Sequence, residues 1–441
     1  MTQRYYVFLI SSVAAFGGLL FGFDIAIFSG TIPFIQSYYH LSEAQLGWTG
    51  SSLYVGCIIG TLITGPFAEA FGRKLPLIIA AAIFMVSSVF MGWSSTHSAL
   101  IVWRIIAGIG VGAASMLSPV YIAEVSPAAI RGRMVSINQL TIVTGILLAY
   151  FSNYILADVE NNWRWMFASG AIPSLLFFVF VFMVPESPRW LVSKGKLKKA
   201  NAILSKIAGD EAVQEIALIQ SRIQKEVKGK FSDLLAPGVL FMVMLGITLA
   251  VFQQISGANA IFFYAPIIFE KAGMNVKDQL FQQIMIGAIN LIFTVVAMLL
   301  VDKLGRKKLM LAGSSLMALW LFLVGICYYY SLFDGYLLSF FVLAFIATYA
   351  ATLAPVTWVL ISEIFPSKVR TLAVSISTGM LWVACFALAY GFPVLIAVLD
   401  APQTFFLFSF VCLTYFFILW KFAPETKGKT LEQFEMETIR H

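Results

Sequence analysis

Twelve apolar runs follow one another along this chain of 441 residues, each near or beyond the ~20 residues that a helix needs to cross a bilayer. They fall at about residues 6–36, 45–69, 75–94, 99–125, 134–156, 164–184, 237–269, 280–301, 308–330, 336–362, 371–398 and 402–422. In hydrocarbon every backbone N–H and C=O must be paired within the protein, so runs of this length close as helices. The composition agrees: 60% of the residues are hydrophobic and 12% charged, against roughly 25% charged in soluble domains. The chain therefore reads as an all-α membrane protein with twelve transmembrane helices. The first run is too long for a signal-peptide core and lacks a clear cleavage site, so it reads as a retained span.

Three charge patterns occur twice. Glu124-Val125-Ser126-Pro127 runs on to Arg131, and Glu363-Ile364-Phe365-Pro366 runs on to Arg370. Pro185-Glu186-Ser187 returns as Pro424-Glu425-Thr426, and Glu69-Ala70-Phe71-Gly72-Arg73-Lys74 as Asp302-Lys303-Leu304-Gly305-Arg306-Lys307. Repeats at nearly constant offset imply internal duplication: two pseudo-symmetric six-helix bundles, residues 1–184 and 236–423, with a functional site expected where they meet. Residues 185–235 link them and residues 424–441 form a tail. Within 189–230, the only long polar connection, Leu197, Ala200, Ile203 and Leu204, then Ile216, Leu218, Ile219 and Ile223, suit short amphipathic helices on the cytoplasmic face. About forty residues are too few for a comfortable soluble core.

The net charge of +7 is spread along one membrane face rather than gathered as a nucleic-acid footprint. With both termini on one side, that side holds 25 of the 29 Lys and Arg; the other holds Arg164, Lys271 and Lys277, and Arg104 lies within a span. This bias places both termini in the cytoplasm. Cys57, Cys327, Cys385 and Cys412 all fall inside spans, where buried thiols pack as small hydrophobes. His40, His97 and His441 form no metal-binding spacing, and Ser51-Ser52 and Ser314-Ser315 lack a base partner. Neither an enzyme nor a cofactor or metal site is expected. Gly108, Gly110 and Gly112, like Gly17, Gly18 and Gly22, read as close helix packing rather than as a nucleotide loop.

One acid and one base are stranded in hydrocarbon: Asp24, deep in the first run, and Arg104, near the start of the fourth. Burying either alone costs at least ~2.5–3.5 kcal/mol, so the two should pair. The pair reads either as a static brace or as a protonation switch; in the second case Asp24 carries the proton, because Arg does not release one. Gln253, Gln254, Ser256, Asn259 and Tyr264 cluster in the seventh run, Asn138 and Gln139 open the fifth, and Asn290 lies in the eighth. Carboxamides both donate and accept without charge, which suits a hydroxyl-covered ligand; interhelical hydrogen bonding is the plainer alternative. Trp358 and Trp382 could stack on such a ligand while Phe23 and Phe263 close the cavity. The repeated ends, with Glu69, Arg73, Glu124, Arg131, Glu186, Arg189, Asp302, Arg306, Glu363, Arg370 and Glu425, read as an ion-pair network gating the cytoplasmic faces of the halves. A purely topogenic role for the arginines would leave the matched acids unexplained.

These motifs resemble the sugar porter family of the major facilitator superfamily over essentially the whole chain. Residues 65–74, Gly-Pro-Phe-Ala-Glu-Ala-Phe-Gly-Arg-Lys, resemble the superfamily's loop signature, with Glu69 where Asp is usual and Ala70 where a base is common. Residues 185–191 (Pro-Glu-Ser-Pro-Arg-Trp-Leu) and 424–428 (Pro-Glu-Thr-Lys-Gly) are similar to motifs more specific to sugar porters, and residues 253–259 (Gln-Gln-Ile-Ser-Gly-Ala-Asn) to the sugar-contacting segment. The resemblance implies the major facilitator fold. It places Gln139, Gln253, Gln254, Asn259, Asn290 and Trp358 on hexose- or pentose-contacting positions, with Trp382 on an aromatic lining position. Asp24 and Arg104 match the proton-coupling pair of bacterial symporters. Phe263 stands where Tyr is common, Leu381 where a carboxamide is common, and Ala350 where some members have a polar or acidic group.

The expected function is proton:monosaccharide symport by alternating access, in a monomer of a bacterial inner membrane. A facilitative uniporter, a polyol or inositol symporter and a non-transporting sugar sensor are the alternatives; a sensor would call for a signalling tail longer than residues 424–441.

Overall fold

The computed structural model describes residues 3–127, 130–225, 230–333, 336–366 and 368–425. Among them, twelve segments are long and apolar enough to cross a bilayer. The first six are α1 (Gln3–Tyr39), α2 (Glu43–Phe71), α3 (Lys74–Gly92), α4 (His97–Val125), α5 (Arg131–Leu156), and α6 (Asn162–Ser169) continued by α7 (Ala171–Val181). Then come α8 (Pro188–Ser193), α9 (Leu197–Ala208) and α10 (Ala212–Lys225). The last six are α11 (Pro237–Ile255) continued by α12 (Ala258–Lys271), α13 (Val276–Leu304), α14 (Arg306–Tyr329), α15 (Leu337–Ala351) continued by α16 (Leu353–Glu363), α17 (Arg370–Val398) and α18 (Asp400–Phe422). The helices match the apolar runs and mostly extend past them, because backbone pairing continues after the side chains turn polar.

Three spans that read as unbroken runs are broken. Proline accounts for the breaks at α6/α7 and α15/α16: Pro173 has no N–H for the Ser169 carbonyl, and Pro355 none for that of Ala351. Thr352 between α15 and α16 has φ −128° and ψ −83°. The α11/α12 break sits at Ser256 and Gly257, whose φ of 94° favours glycine. About two turns on, Tyr264 leaves helical geometry (φ −125°, ψ 23°) ahead of Pro266.

By contacts the chain divides into two compact units: Met1–Ile35 with Ser52–Glu226, and Gln36–Ser51 with Val227–His441. In the first, the expected small-residue packing is literal. A Cβ on Gly22 would overlap the Ile142 carbonyl of α5, and one on Gly145 the Leu19 carbonyl of α1. Gly56 of α2 and Gly108 of α4 face each other in the same way. Asn153 and Thr141 of α5 then donate to the Ala26 and Ala15 carbonyls of α1, at 2.9 and 2.7 Å. Helices α8–α10 build a small core of their own, Trp190, Leu191, Val192 and Ala200 under Ile203, Ile216, Ile219 and Ile223. In the second unit α11 packs on α17, α13 and α14 on α15, and α14 on α18.

Candidate functional site

In the first unit, close packing of α1 and α4 buries Asp24 and Arg104 completely, at 1% and 0% exposure, with Arg104 Nη2 3.8 Å from Asp24 Oδ2. That separation keeps the charge attraction but exceeds hydrogen-bonding reach. The Phe28 ring lies one turn below Asp24, and the Arg104 guanidinium sits over its face at 4.4 Å. The electron-rich face gives the cation a second source of stabilisation, independent of the charge state of Asp24. Phe23 is buried beside Asp24 on α1, and Gln139 is half-buried on α5.

In the second unit, the break after α11 gathers the amides into a chain with one direction. Gln253 Nε2 donates to the carbonyls of Leu353 and Ala354 at 3.4 and 3.1 Å, where α16 begins. Gln254 Nε2 donates to Gln253 Oε1 at 3.0 Å. Asn259 Nδ2 donates to Gln254 Oε1, and the Cys385 thiol donates to the same oxygen at 3.0 Å. The Tyr264 hydroxyl bridges the kinked α12 to the Ala389 carbonyl of α17. Asn290 and Trp382 are buried, while Trp358 is 40% exposed.

The repeated charge patterns explain one another. In the first unit Arg73 grips Glu124 through two bonds, Nε–Oε2 at 3.0 and Nη2–Oε1 at 2.9 Å, and Ser187 Oγ donates to Glu124 Oε2 at 2.5 Å. Glu186 accepts the backbone N–H groups of Arg73, at 2.8 Å, and Lys74, at 3.3 Å, so a carboxylate caps the N-terminus of α3. Gly72, at φ 95°, leaves room for that carboxylate, which a Cβ would strike. The second unit repeats the design. Arg306 Nη2 meets Glu363 Oε1 at 3.2 Å; Glu425 accepts the backbone N–H groups of Arg306 and Lys307 at 3.0 and 3.2 Å; and Gly305, at φ 88°, makes the same room.

These pairs form within each unit. Arg131 reaches back to the carbonyls of Ala123, in the last turn of α4, and Ser126, its C-cap, while Arg370 reaches that of Phe365 in the turn after α16, so each arginine ties down the chain at its proline turn. Glu69 is exposed and contributes its backbone carbonyl, which accepts the Trp190 indole N–H at 3.0 Å. Arg189 is exposed on α8. The side chain of Asp302 lies outside the described residues.

Two groups were not legible beforehand. Cys385 and Cys412 were expected to pack as hydrophobes, yet both thiols donate, Cys412 to the Ser256 carbonyl at 3.3 Å. Gln279, Gln282 and Gln283, at 3%, 8% and 0% exposure, bury three more amides at the start of α13; three carboxamides within five residues of an apolar run were the signal. A cavity of about 430 Å³ beside Trp190, Lys196 and Lys199 belongs to the linker helices and reaches neither the ion pair nor the amide chain.

A buried acid–guanidinium pair in one helical half and a buried amide chain in the other define a twelve-span secondary transporter. The family model described as "Sugar (and other) transporter" matches residues 10–437, and the chain belongs to that family, the sugar porters of the major facilitator superfamily. It is 39% identical to the arabinose-proton symporter of Bacillus subtilis, covering 99% of this chain and 96% of that protein. It is also 39% identical to the D-xylose-proton symporter of Escherichia coli K12, covering 98% and 95%. A partially occluded inward-open structure of the E. coli xylose transporter XylE superposes with a TM-score of 0.86 at 37% identity, covering 97% of this chain and all of that one.

Proposed function

We propose that this chain takes up a monosaccharide, a pentose or hexose, together with a proton by alternating access. The buried pair of Asp24 and Arg104 carries this reading, since an acid in hydrocarbon is a functional group by default. With Asp24 ionised the pair is neutral overall. With Asp24 protonated the attraction is lost, and Arg104 keeps its charge over the Phe28 ring. The proton thereby changes what holds α1 to α4. By linkage, if protonation tightens sugar binding, sugar must tighten proton binding equally.

Sugar recognition falls to Gln253, Gln254, Asn259, Asn290 and Trp382 of the second half, with Trp358, Gln139 and Phe23. The names of the full-length relatives, an arabinose- and a xylose-proton symporter, favour a monosaccharide over a polyol and symport over uniport. The half-boundaries at 184 and 236, cytoplasmic termini, a bacterial plasma membrane, monomeric function and a gate made by the repeated ends belong to the same proposal.

The test is uptake by proteoliposomes holding the purified protein, across D-xylose, L-arabinose, D-glucose and myo-inositol. With an inward pH gradient the protein accumulates a monosaccharide above the outside concentration. Equilibration without accumulation would make it a uniporter, and accumulation of myo-inositol alone would move the substrate class.

A further inference from the structure

We propose that Cys385 is a positioning residue of the amide chain, whose thiol, together with the Asn259 amide, holds the end of Gln254 that is presented to a sugar. The inference rests on reading that chain as sugar-contacting. A carboxamide has two ends of nearly equal shape, so only its neighbours decide which end faces where. Gln254 meets two donors on one side: the Cys385 thiol, 3.0 Å from Oε1, and the Asn259 amide on the same oxygen. The reversed amide would set its NH2 against the Asn259 NH2, so the oxygen is fixed there. Nε2 must then turn to Gln253 Oε1, at 3.0 Å. With its oxygen occupied, Gln253 turns its own NH2 to the Leu353 and Ala354 carbonyls at the break in the tenth span.

Each orientation thus follows from the donors at Gln254 Oε1, and Cys385 supplies the one that comes from α17. Cys385 is 3% exposed, and Asn259 Nδ2 also lies 4.0 Å from its sulfur, so the thiol is held between the two amides it orders. A sugar reaching this chain meets the N–H that Gln254 keeps beyond its bond to Gln253 in one fixed direction, rather than on a freely turning amide. This arrangement distinguishes hydroxyl configurations. In this role residue 385 requires a small side chain with a donor, which serine keeps and alanine lacks.

The experiment compares Cys385→Ala and Cys385→Ser with the unaltered protein in proteoliposome exchange of D-xylose and L-arabinose, with thermal melting of each purified variant. Loss of one buried hydrogen bond predicts a KM raised roughly tenfold in Cys385→Ala, with maximal exchange within about twofold. The ratio of the two sugars' KM values shifts in that variant, and Cys385→Ser restores most of both. Unchanged KM values and ratio in Cys385→Ala overturn the proposal. So does an equal fall in both variants that tracks a lower melting temperature, since packing alone would then explain it. If the unaltered protein exchanges neither these sugars nor D-glucose, the reading of the chain as a sugar site fails instead, which separates the two ideas.

Discussion

The two halves use one mechanical design at their ends and different chemistry in their middles. Both build a glycine turn whose following helix is capped by a distant glutamate, Glu186 on α3 and Glu425 on α14. Both tie the turn's arginine to a glutamate at the end of a span, Arg73 to Glu124 and Arg306 to Glu363. Midway along the spans the likeness ends. The first half buries an acid and a guanidinium, and the second buries neutral amides that bond to one another. The parts that hold the helix ends are alike in the two halves, and the buried polar groups midway along the spans are not.

The comparison breaks most visibly if the first half's pair is split. Arg104→Leu leaves the Asp24 carboxylate buried without its counter-charge and should lower stability by about 3–5 kcal/mol. Adding Asp24→Asn should recover most of that, as read from melting of the purified single and double variants. Recovery of nothing would mean that Arg104 acts through packing over Phe28 alone.

The end networks should matter less than the pair. Glu124 accepts two bonds from Arg73 and one from Ser187. Glu124→Gln should therefore lower stability by about 2 kcal/mol, since bidentate charged bonds are the stronger kind. Unchanged melting of the purified variant would deny this network a part in holding the helix ends.

In the second half, Gln253→Ala should raise KM for the transported sugar roughly tenfold while leaving protons moved per sugar unchanged. A changed ratio would draw the amides into coupling and blur the division of labour. The smallest effect belongs to Asp233, whose carboxyl lies below the usual carboxylate range, chiefly through its hydrogen bond from Lys368 at 2.9 Å. A lowered value stabilises the fold above the usual range near 3.8 and loses that contribution as pH falls through the lowered value. Asp233 is half-buried and its partner Lys368 is exposed, so solvent screens the pair and Asp233→Asn should leave melting the same between about pH 6 and 8.

Much of this molecule was legible in the sequence because hydrocarbon tolerates few exceptions. Every apolar run became a span, and the isolated Asp24 and Arg104 met, since neither could stay buried alone. The glycines of α4 were readable as packing because small residues let backbones touch. Less legible was how the repeated patterns work: Glu186 and Glu425 serve as caps on backbone N–H groups, and Arg131 and Arg370 as caps on carbonyls. Spacing along a chain does not reveal which distant turn a charge will meet. Cys385 was hidden for a different reason. A cysteine among apolar residues looks like any small hydrophobe until the amides beside it are seen.

The most direct test follows the proton. In lightly buffered proteoliposomes with no imposed gradient, adding the transported sugar outside the unaltered protein should alkalinise the medium as protons follow sugar inward. Asp24→Asn should still exchange sugar and leave the pH still. A pH change of unaltered size in Asp24→Asn would place the coupled proton elsewhere and contradict the account.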